Sequence, residues 1–235
     1  MDEQVFELFW ENTKLNAVTV RLFAERMSAH EPDGRPARLD YPGPDIPLRP
    51  PSDRLLDVMR RRRSGRSWSD RPLSRRQLSS LLVGLSASPH GTRLHPSAGS
   101  TQPLETYVLC HRVEDLSGTA CHYNPDNHSL TAIRRLPSAA EYVRLLNLEL
   151  EREPPQVTVV VAALTDRTTT RYGGRGGRFV LIEAGHAAQN LALRAAHERL
   201  VLVDAGGLLD DAVADLLDLR RLGGKVVLGV ACGPG

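Results

Sequence analysis

The stretch FVLIEAGHAAQNLALRAAHE, residues 179–198, decides the fold, because it carries the most regular helical pattern in the chain. Its apolar residues recur every three or four positions and therefore share one face of a helix. This stripe consists of Val180, Leu181, Ala184, Ala187, Ala188, Leu191, Ala192 and Ala195. Small side chains on a helix face let another backbone approach closely. We therefore expect a long helix, from Phe179 to about Glu198, at the centre of the fold or at a subunit interface.

The segments around this helix predict an α+β chain without an internal repeat. A continuous apolar run, Val157–Ala163, is typical of a strand buried on both faces. Turn residues at the centre of Thr119–Ile133 predict a β-hairpin. Three further strands are expected, at residues 106–109, 201–204 and 226–231. Two capping-box pairs indicate helix starts: Ser74 with Gln77, and Ser138 with Glu141. The second of these helices is predicted to run to about Arg152.

The first 51 residues differ from the rest of the chain. A helical rhythm of apolar residues runs from Val5 to Met27 and predicts one packed helix. Seven prolines between Pro32 and Pro51 interrupt regular structure, so Glu31–Pro51 is interpreted as an extended connector. The sequence thus predicts two parts: residues 1–51, a helix with a proline-rich connector, and residues 52–235, the main domain.

Composition and charge argue against several classes of protein. Of 235 residues, 41% are hydrophobic, and the mean hydropathy of -0.29 argues against a membrane protein. A formal charge of +2, from 30 basic and 28 acidic residues, is too balanced for a protein that mainly binds nucleic acid. The acidic start MDEQVFELFWENTK does not resemble a signal peptide. Three cysteines without a CxxC pair indicate neither disulfides nor a zinc site, so we expect a cytoplasmic protein without a metal.

A basic cluster follows the short helix predicted for residues 52–62. It comprises Arg62, Arg63, Ser64, Gly65 and Arg66. Guanidinium groups and a hydroxyl that converge on one point suit a phosphate, because bidentate hydrogen bonds and charge act together. The alternative interpretation is a solvated run of basic residues on the surface.

A loop of small residues, PSAGSTQP at 96–103, is the second candidate. Pro96, Ser97, Ala98 and Gly99 could bring backbone amides close to a planar ligand. A plain connecting loop fits the same residues equally well. The loop is not a nucleophile elbow, because that motif requires glycine where His95 stands.

The segment RYGGRGGR, residues 171–178, is the third candidate. Its glycines match neither the dinucleotide-binding GxGxxG spacing nor the phosphate-binding GxxxxGKS spacing. Neighbouring arginines such as Arg171 would favour the phenolate form of Tyr172, which matters if the tyrosine accepts a proton. The alternative is a flexible surface loop.

Two Cys-His pairs, Cys110 with His111 and Cys121 with His122, resemble metal ligands at first sight. Adjacent residues of a strand point to opposite faces, so neither pair can close on one ion without distortion. Core cysteines and hairpin histidines are the favoured interpretation. His186 is likewise interpreted as a buried histidine whose hydrogen bonds are satisfied.

Taken together and in order, these segments resemble the SagB-type (McbC-like) dehydrogenase branch of the nitroreductase-like flavoprotein superfamily. The resemblance covers nearly the whole chain, and it rests on the following stretches: ENTKLN, YPGPDIPLRPP, RRRSGRSWSDRPLS, LHPSAGSTQPLETYVL, ACHYNPDNHSLTAI, RYGGRGGRFVLIEAGHAAQNLALRAA and VDAGGLLDDAVADLL. Each stretch alone is a weak signal, whereas the ordered set is specific.

The resemblance implies a nitroreductase-like α+β fold with a central mixed or antiparallel sheet flanked by helices. It also implies a homodimer that binds FMN at its interface, with a long helix buried between the subunits. By resemblance, Arg62, Ser64 and Arg66 would hold the FMN phosphate, and Pro96–Gly99 would line the isoalloxazine ring. The turn at Gly206 and Gly207 would bring backbone amides near the reactive nitrogen of the flavin.

The activity implied by this branch is the FMN-dependent oxidation of a peptide-derived heterocycle or amino-acid unit, of the azoline-to-azole type, in natural-product biosynthesis. The substrate would be a peptide or would be carrier-bound. A cyclodehydratase or a synthetase is the implied partner. Tyr172 is the candidate base for the proton α to the carbonyl. Relatives usually carry lysine before this tyrosine, whereas this chain has Arg171, which remains protonated. Relatives also often place an arginine where this chain ends its last strand with Cys232, and Arg63 is a candidate replacement.

Two other functions remain open at this stage. One is an NAD(P)H-dependent flavin or nitro reductase, which would pass electrons to a nitro compound or a quinone. The other is a catalytically silent subunit that serves as a scaffold in a peptide-modifying complex. The substitution of arginine for lysine at Arg171 motivates the second alternative.

Overall fold

The structure, a computed structural model, describes residues 2–29, 42–44, 46–147 and 153–235. Within these ranges the strands are β1 (Leu104–Cys110), β2 (Thr119–Asn124), β3 (Ser129–Arg135), β4 (Val157–Ala163), β5 (Leu200–Ala205) and β6 (Lys225–Pro234). They form one sheet in the order β3-β2-β1-β4-β6-β5, and every pair of neighbours is antiparallel. The α+β class and the hairpin are confirmed.

Eight helices are found in the described ranges. They are α1 (Asp2–Thr13), α2 (Thr19–Ala29), α3 (Arg54–Arg61), α4 (Arg75–Leu82), α5 (Ala139–Leu146), α6 (Asp166–Tyr172), α7 (Arg175–Glu198) and α8 (Asp210–Leu216). Both predicted capping boxes are present, at the start of α4 and of α5. Helix α5 ends sooner than predicted, because Asn147 takes a left-handed conformation as its C-cap, and Arg152 lies outside the described residues.

Strand β4 lies in the middle of the sheet and is buried along its whole length, as its apolar run predicts. Helices α4 and α7 cover one face of the sheet, where Leu81 and Leu191 pack with Val159. Helices α5 and α8 cover the other face. The fold is therefore a sheet between two helical layers, with a hydrophobic core on each side.

The long helix α7 occupies the centre of the fold, which confirms one of the two locations predicted for it. Seven of the eight stripe residues pack inside the chain's own core: Val180, Ala184, Ala187, Ala188, Leu191, Ala192 and Ala195. Leu181 departs from the prediction, because 37% of its surface is exposed although it lies in phase with the stripe. Ile182 beside it is 55% exposed. The stripe of small residues thus serves the core, and a different face of α7 remains open.

The glycine-rich segment is a packed corner between α6 and α7, so the interpretation as a flexible surface loop is wrong. Gly176 lies inside α7, where a Cβ would approach the backbone of Thr168 in α6 to 3.0 Å. The ring of Phe6 in α1 occupies the space in which a side chain on Gly177 would lie. Both glycines therefore permit close packing between helices.

The N-terminal rhythm forms two helices instead of one. The chain turns between them because the Asn16 side chain accepts hydrogen bonds from the backbone amides of Val18 and Thr19. Helix α1 is fixed to the main domain by an ion pair between Lys225 and Glu7, with Nζ 2.8 Å from Oε2. Residues 31–41 and 45 of the predicted connector lie outside the described part, and its other residues are exposed and irregular. The division at residue 51 stays a prediction.

In the ranges that the structure describes, no helix combines the length and the hydrophobicity that crossing a bilayer requires.

Candidate functional site

The basic cluster lies where α3 ends and the chain joins the edge of the sheet. Ser64 forms a parallel bridge with Leu202 of β5, and the Gly65 amide donates to the Leu202 carbonyl at 3.0 Å. A Cβ on Gly65 would approach Val201 to 2.9 Å, so glycine suits this position. The buried Trp68 anchors the segment, because its Nε1 donates to the Val201 carbonyl at 3.2 Å. The cluster therefore has a fixed backbone.

The side chains of the basic cluster differ in their partners. Arg62 Nη1 donates to Ser64 Oγ at 3.4 Å, which brings the two predicted phosphate ligands together. Arg63 instead turns back and donates to the carbonyls of Arg60, at 2.6 Å, and of Arg62, at 2.8 Å. Arg66 is exposed and has no hydrogen-bond or ion-pair partner among the described residues. Its guanidinium is thus available to an anionic ligand.

A small cleft of about 150 Å³ separates this cluster from the C-terminal half of α7. Its walls include Arg62, Arg63, Ala192, Ala195, Ala196 and Leu202. Loss of solvation raises the pKa of Asp204 on β5, and the positive charge of Arg62 acts in the opposite direction. Arg62 therefore contributes a positive field at the end of this cleft.

The turn after β5 continues from the same strand. Gly206 has open space where a Cβ would lie, whereas a Cβ on Gly207 would contact the Asn147 side chain at 3.3 Å. The backbone amide of Leu209 donates to the carbonyl of Leu145 at 3.0 Å, which holds the turn against α5. The turn and the basic cluster thus share β5 as their support.

The loop Pro96–Gly99 lies elsewhere, against α6. Gly99 has φ +56°, and Ser100 and Gln102 also take positive φ values, of 54° and 45°. Such conformations are strained for residues other than glycine and persist only where neighbours hold them. Ser97 Oγ accepts a hydrogen bond from the Gln102 amide at 2.9 Å. The hydroxyl groups of Thr101 and Thr168 are hydrogen-bonded at 2.7 Å, which ties the loop to α6.

Arg171 and Tyr172, at the end of α6, are brought together with this loop. Arg171 Nη1 donates to the Gly99 carbonyl at 3.2 Å, and its Cζ lies 5.3 Å from the centre of the Tyr172 ring. A Cβ on Gly99 would collide with the Tyr172 hydroxyl. The Tyr172 ring also packs edge-on against Phe179, with centroids 5.1 Å apart. The predicted base and the predicted ring-binding loop therefore form one group.

The structure does not bring the two groups together within one chain. The loop is preceded by His95, which contacts Glu183 in the N-terminal half of α7. The basic cluster instead faces Ala195 in the C-terminal half. At 1.5 Å per residue, these two points on α7 are about 18 Å apart along the helix axis. Each chain thus presents two separate half-sites.

His186 is exposed and the strand cysteines are buried, so one of the two predictions about these residues is wrong. His186 is exposed on α7, so its interpretation as a buried histidine is wrong. Cys110 and Cys121 are fully buried on neighbouring strands, and a hydrogen bond from one thiol to the other, together with burial, raises the pKa of Cys110. Among the described residues, no group of three or more His, Cys, Asp or Glu side chains is arranged around a common point for a metal.

The sequence reasoning missed the contact between His95 and Glu183. Both side chains are almost completely buried, at 4% and 3% exposure, with Nε2 of His95 3.6 Å from Oε1 of Glu183. The sequence did contain one indication of this contact. Glu183 lies in phase with Val180 and Ala187 on the apolar stripe of α7, where a carboxylate is unexpected.

Comparison with known proteins places the chain in a family. The sequence model of the nitroreductase family matches residues 59–234. A Methanocaldococcus jannaschii protein, provisionally described as a nitroreductase, is 32% identical over 170 residues, which are 72% of this chain and 86% of that protein.

Solved structures share the fold. A chain of the E. coli microcin synthetase McbBCD complex with truncated pro-MccB17 bound has a TM-score of 0.71 and 24% identity, over 97% of this chain and 86% of its own length. An Anabaena variabilis protein, provisionally described as a nitroreductase, has a TM-score of 0.67 and 22% identity over 77% of this chain. This chain spans 38% of that longer chain. With the family model covering three quarters of its sequence, the chain belongs to the nitroreductase family of oxidoreductases.

Proposed function

We propose that this protein is an FMN-dependent oxidoreductase that binds FMN where two copies of the chain meet. The separation of the two half-sites along α7 is the observation that carries the proposal. One chain offers cationic groups near Ala195, and the loop and Tyr172 lie near the opposite end of the same helix. Two antiparallel copies of α7 would bring the cationic half of one copy beside the loop of the other.

The chemistry of the cationic half fits the phosphate of FMN. Arg62 and Ser64 are already in contact, and Arg66 is free of partners within the described ranges. Charge-assisted hydrogen bonds from guanidinium to phosphate are among the stronger polar contacts in proteins. Arg63, which donates to the backbone carbonyls of Arg60 and Arg62, is the weaker candidate for a ligand.

The second half fits a flat aromatic ring. Pro96, Ser97, Ala98 and Gly99 present small side chains, and the left-handed Gly99 is held beneath the Tyr172 hydroxyl by Arg171. A side chain at Gly99 would collide with the Tyr172 hydroxyl and displace it. The turn at Gly206, which is open on its outer side, is the candidate third contact.

The exposed face of α7 supports a homodimer. Leu181 and Ile182 are exposed apolar residues, and a Cβ on Gly185 would meet open space. Exposed apolar faces of this kind commonly mark interfaces between proteins. In the proposed dimer, this face packs against its own copy, while the opposite stripe remains in the core of each chain.

The reaction we propose is the oxidation of an azoline ring, in a peptide or carrier-bound substrate, to an azole. Tyr172 accepts the proton from the carbon α to the carbonyl, while a hydride leaves the β carbon. FMN, when bound, supplies the hydride acceptor. Arg171 orients the tyrosine and keeps its own proton, because arginine is not deprotonated in proteins. The structural likeness to a chain of a microcin synthetase complex supports a peptide substrate and a cyclodehydratase or synthetase partner.

The experiment has two stages. The purified protein is first examined for a flavin absorption spectrum, with FMN added where it is colourless. It is then incubated with an azoline-containing peptide, and mass spectrometry records whether the peptide loses two hydrogen atoms. A protein that does not take up FMN would refute the proposal and favour the scaffold function.

An NAD(P)H-dependent nitro or flavin reductase is the second candidate, favoured by the 32% identity to a relative described as a nitroreductase. Steady oxidation of NAD(P)H in the presence of a nitro compound or a quinone, without azoline oxidation, would identify this function. Slow oxidation of NAD(P)H by oxygen alone would not.

A further inference from the structure

His95 and Glu183 form a buried polar pair between the start of the Pro96–Gly99 loop and the core-facing side of α7. His95 directly precedes the loop, and Glu183 is surrounded on its helix by Val180, Ala184 and Ala187. The distance of 3.6 Å between Nε2 and Oε1 is slightly longer than a hydrogen bond. Two polar side chains therefore face each other with almost no exposure to solvent.

Their polar atoms lack direct partners. Both ring nitrogens of His95 and Oε1 of Glu183 are buried and make no hydrogen bond to any described residue. Buried groups of this kind are nearly always hydrogen-bonded in native proteins, to protein or to ordered water. The pair lines a cavity of about 20 Å³. One water molecule requires about 10–15 Å³, so the cavity has room for one that bridges the two side chains.

The charged groups around the cavity are occupied elsewhere. Arg93 pairs with Asp126 at 2.6 Å, and Glu105 pairs with Arg167 at 2.7 Å. Glu105 also contacts His122, with Oε2 2.9 Å from Nε2. Hence the other charged side chains that line this cavity, Arg93 and Glu105, already have partners.

The loop is held unequally at its two ends. On the C-terminal side, Arg171 and Arg167 donate to the carbonyls of Gly99 and Gln102, at 3.2 and 3.0 Å. On the N-terminal side, Asn190 of α7 donates to the Leu94 carbonyl at 3.3 Å, and the buried His95 side chain faces Glu183 of the same helix. Ser100 and Gln102, which follow the loop, take left-handed conformations that persist only where neighbouring groups hold them.

We propose that His95 and Glu183, bridged by one water molecule, are positioning residues that hold the Pro96–Gly99 loop in the shape that receives the flavin ring. The inference rests on the proposed FMN site. It adds a pair that acts through the loop and does not itself contact the cofactor.

The test compares Glu183→Leu, which removes the polar partner, with Glu183→Gln, which can still hydrogen-bond to water and to imidazole. Arg221→Ala, at an exposed position outside α7 where the side chain pairs with Asp218, is the control. The first measurement is amide hydrogen exchange of residues 95–102 in the full chain without added flavin. We expect about tenfold faster exchange in Glu183→Leu, and less than about threefold change in Glu183→Gln and in the control.

The second measurement is FMN affinity, with the absorption spectrum of the bound flavin. Glu183→Leu should weaken FMN binding by about tenfold and change the spectrum, and Glu183→Gln should restore both. Circular dichroism checks folding, and Glu183→Ala replaces the leucine variant should that variant not fold.

The outcomes separate this proposal from the proposed function. Unchanged loop exchange in a folded leucine or alanine variant would overturn the positioning role, whether or not flavin binds. Faster exchange with unaltered affinity and spectrum would also overturn it, because the flavin would then not depend on the pair. A wild-type protein without FMN uptake would instead refute the FMN site, and loop exchange would still decide whether the pair fixes the loop.

Discussion

The ring of Phe6 in α1 lies directly against Gly177 in α7, in the space that any side chain at position 177 would occupy. The N-terminal helix therefore depends on a glycine 171 residues further along the chain. The same ring is 5.8 Å from Trp10, with which it forms the apolar side of α1 that faces the main domain. This contact explains one of the glycines in a segment that otherwise resembles a mobile loop.

Gly177→Ala should destabilise the protein by roughly 1–3 kcal/mol, because the added methyl group displaces the ring of Phe6. Thermal unfolding of a double-mutant cycle measures the effect. In a Phe6→Ala background the same substitution should cost much less, since the clash is then absent. Equal costs in both backgrounds would contradict the contact.

Ile182→Glu should convert the proposed dimer to a monomer, because a charge would enter the open apolar face of α7. The same variant should lose FMN, since each site would lack one half. Sedimentation measures the mass, and absorption measures the bound flavin. Leu222→Glu, at another exposed apolar residue, should change neither. A dimeric, flavin-bound Ile182→Glu would place the interface elsewhere.

Arg66→Ala should weaken FMN binding at least tenfold, because it removes a charged hydrogen bond worth roughly 1.5–3 kcal/mol. A fluorescence titration with FMN measures the affinity. Arg221→Ala is the control, since Arg221 is exposed and paired with Asp218. Unchanged affinity in Arg66→Ala would remove this residue from the phosphate site.

Tyr172→Phe should leave the flavin spectrum intact and abolish azoline oxidation. The substitution removes the phenolic oxygen that would accept the proton and keeps the ring that packs against Phe179. Mass spectrometry of the peptide product and the absorption spectrum give the two readouts from one sample. Retained oxidation would show that the base lies elsewhere.

Glu198 should make the stability of the protein sensitive to acid. A hydrogen bond from Ser80, at 2.6 Å, and the nearby Arg76 lower the pKa of its carboxyl below the ordinary 4.5. A lowered pKa contributes stability above about pH 4.5, and that contribution is lost as the pH falls through the folded-state pKa. Thermal midpoints between about pH 3 and neutral pH should therefore fall less in Glu198→Gln than in the wild type. An equal decrease of the thermal midpoint with pH in both proteins would contradict this role of Glu198.

Local signals predicted much of the fold. The capping boxes at Ser74 and Ser138 and the apolar run of β4 depend mainly on neighbouring residues. The sequence alone therefore predicts these elements correctly. Helix α6 was missed because its sequence, DRTTTRY, is rich in β-branched residues of low helix propensity. It is helical because Gly176 lets α7 pack against its backbone. The turn between α1 and α2 was missed although Asn16 offered a helix cap.

The sequence also predicted only part of the candidate site. The sequence identified residue types that suit a flavin, since these types follow from the ligand's own chemistry. It did not reveal that the basic cluster and the loop with Gly99 lie toward opposite ends of α7, because that separation depends on how α7 crosses the fold. Nor did it reveal the pair of His95 and Glu183, which are 88 residues apart in sequence and meet only through tertiary packing.

The length of α7 has a genetic consequence for the proposed dimer. Both pockets of the proposed homodimer consist of residues from two identical chains. A single harmful substitution is therefore present in both pockets, and neither stays intact. After gene duplication, a hetero-dimer escapes this constraint: one copy can lose the loop half and still lend its arginines to the other. A diverged, inactive copy can then persist as an indispensable companion of an active one.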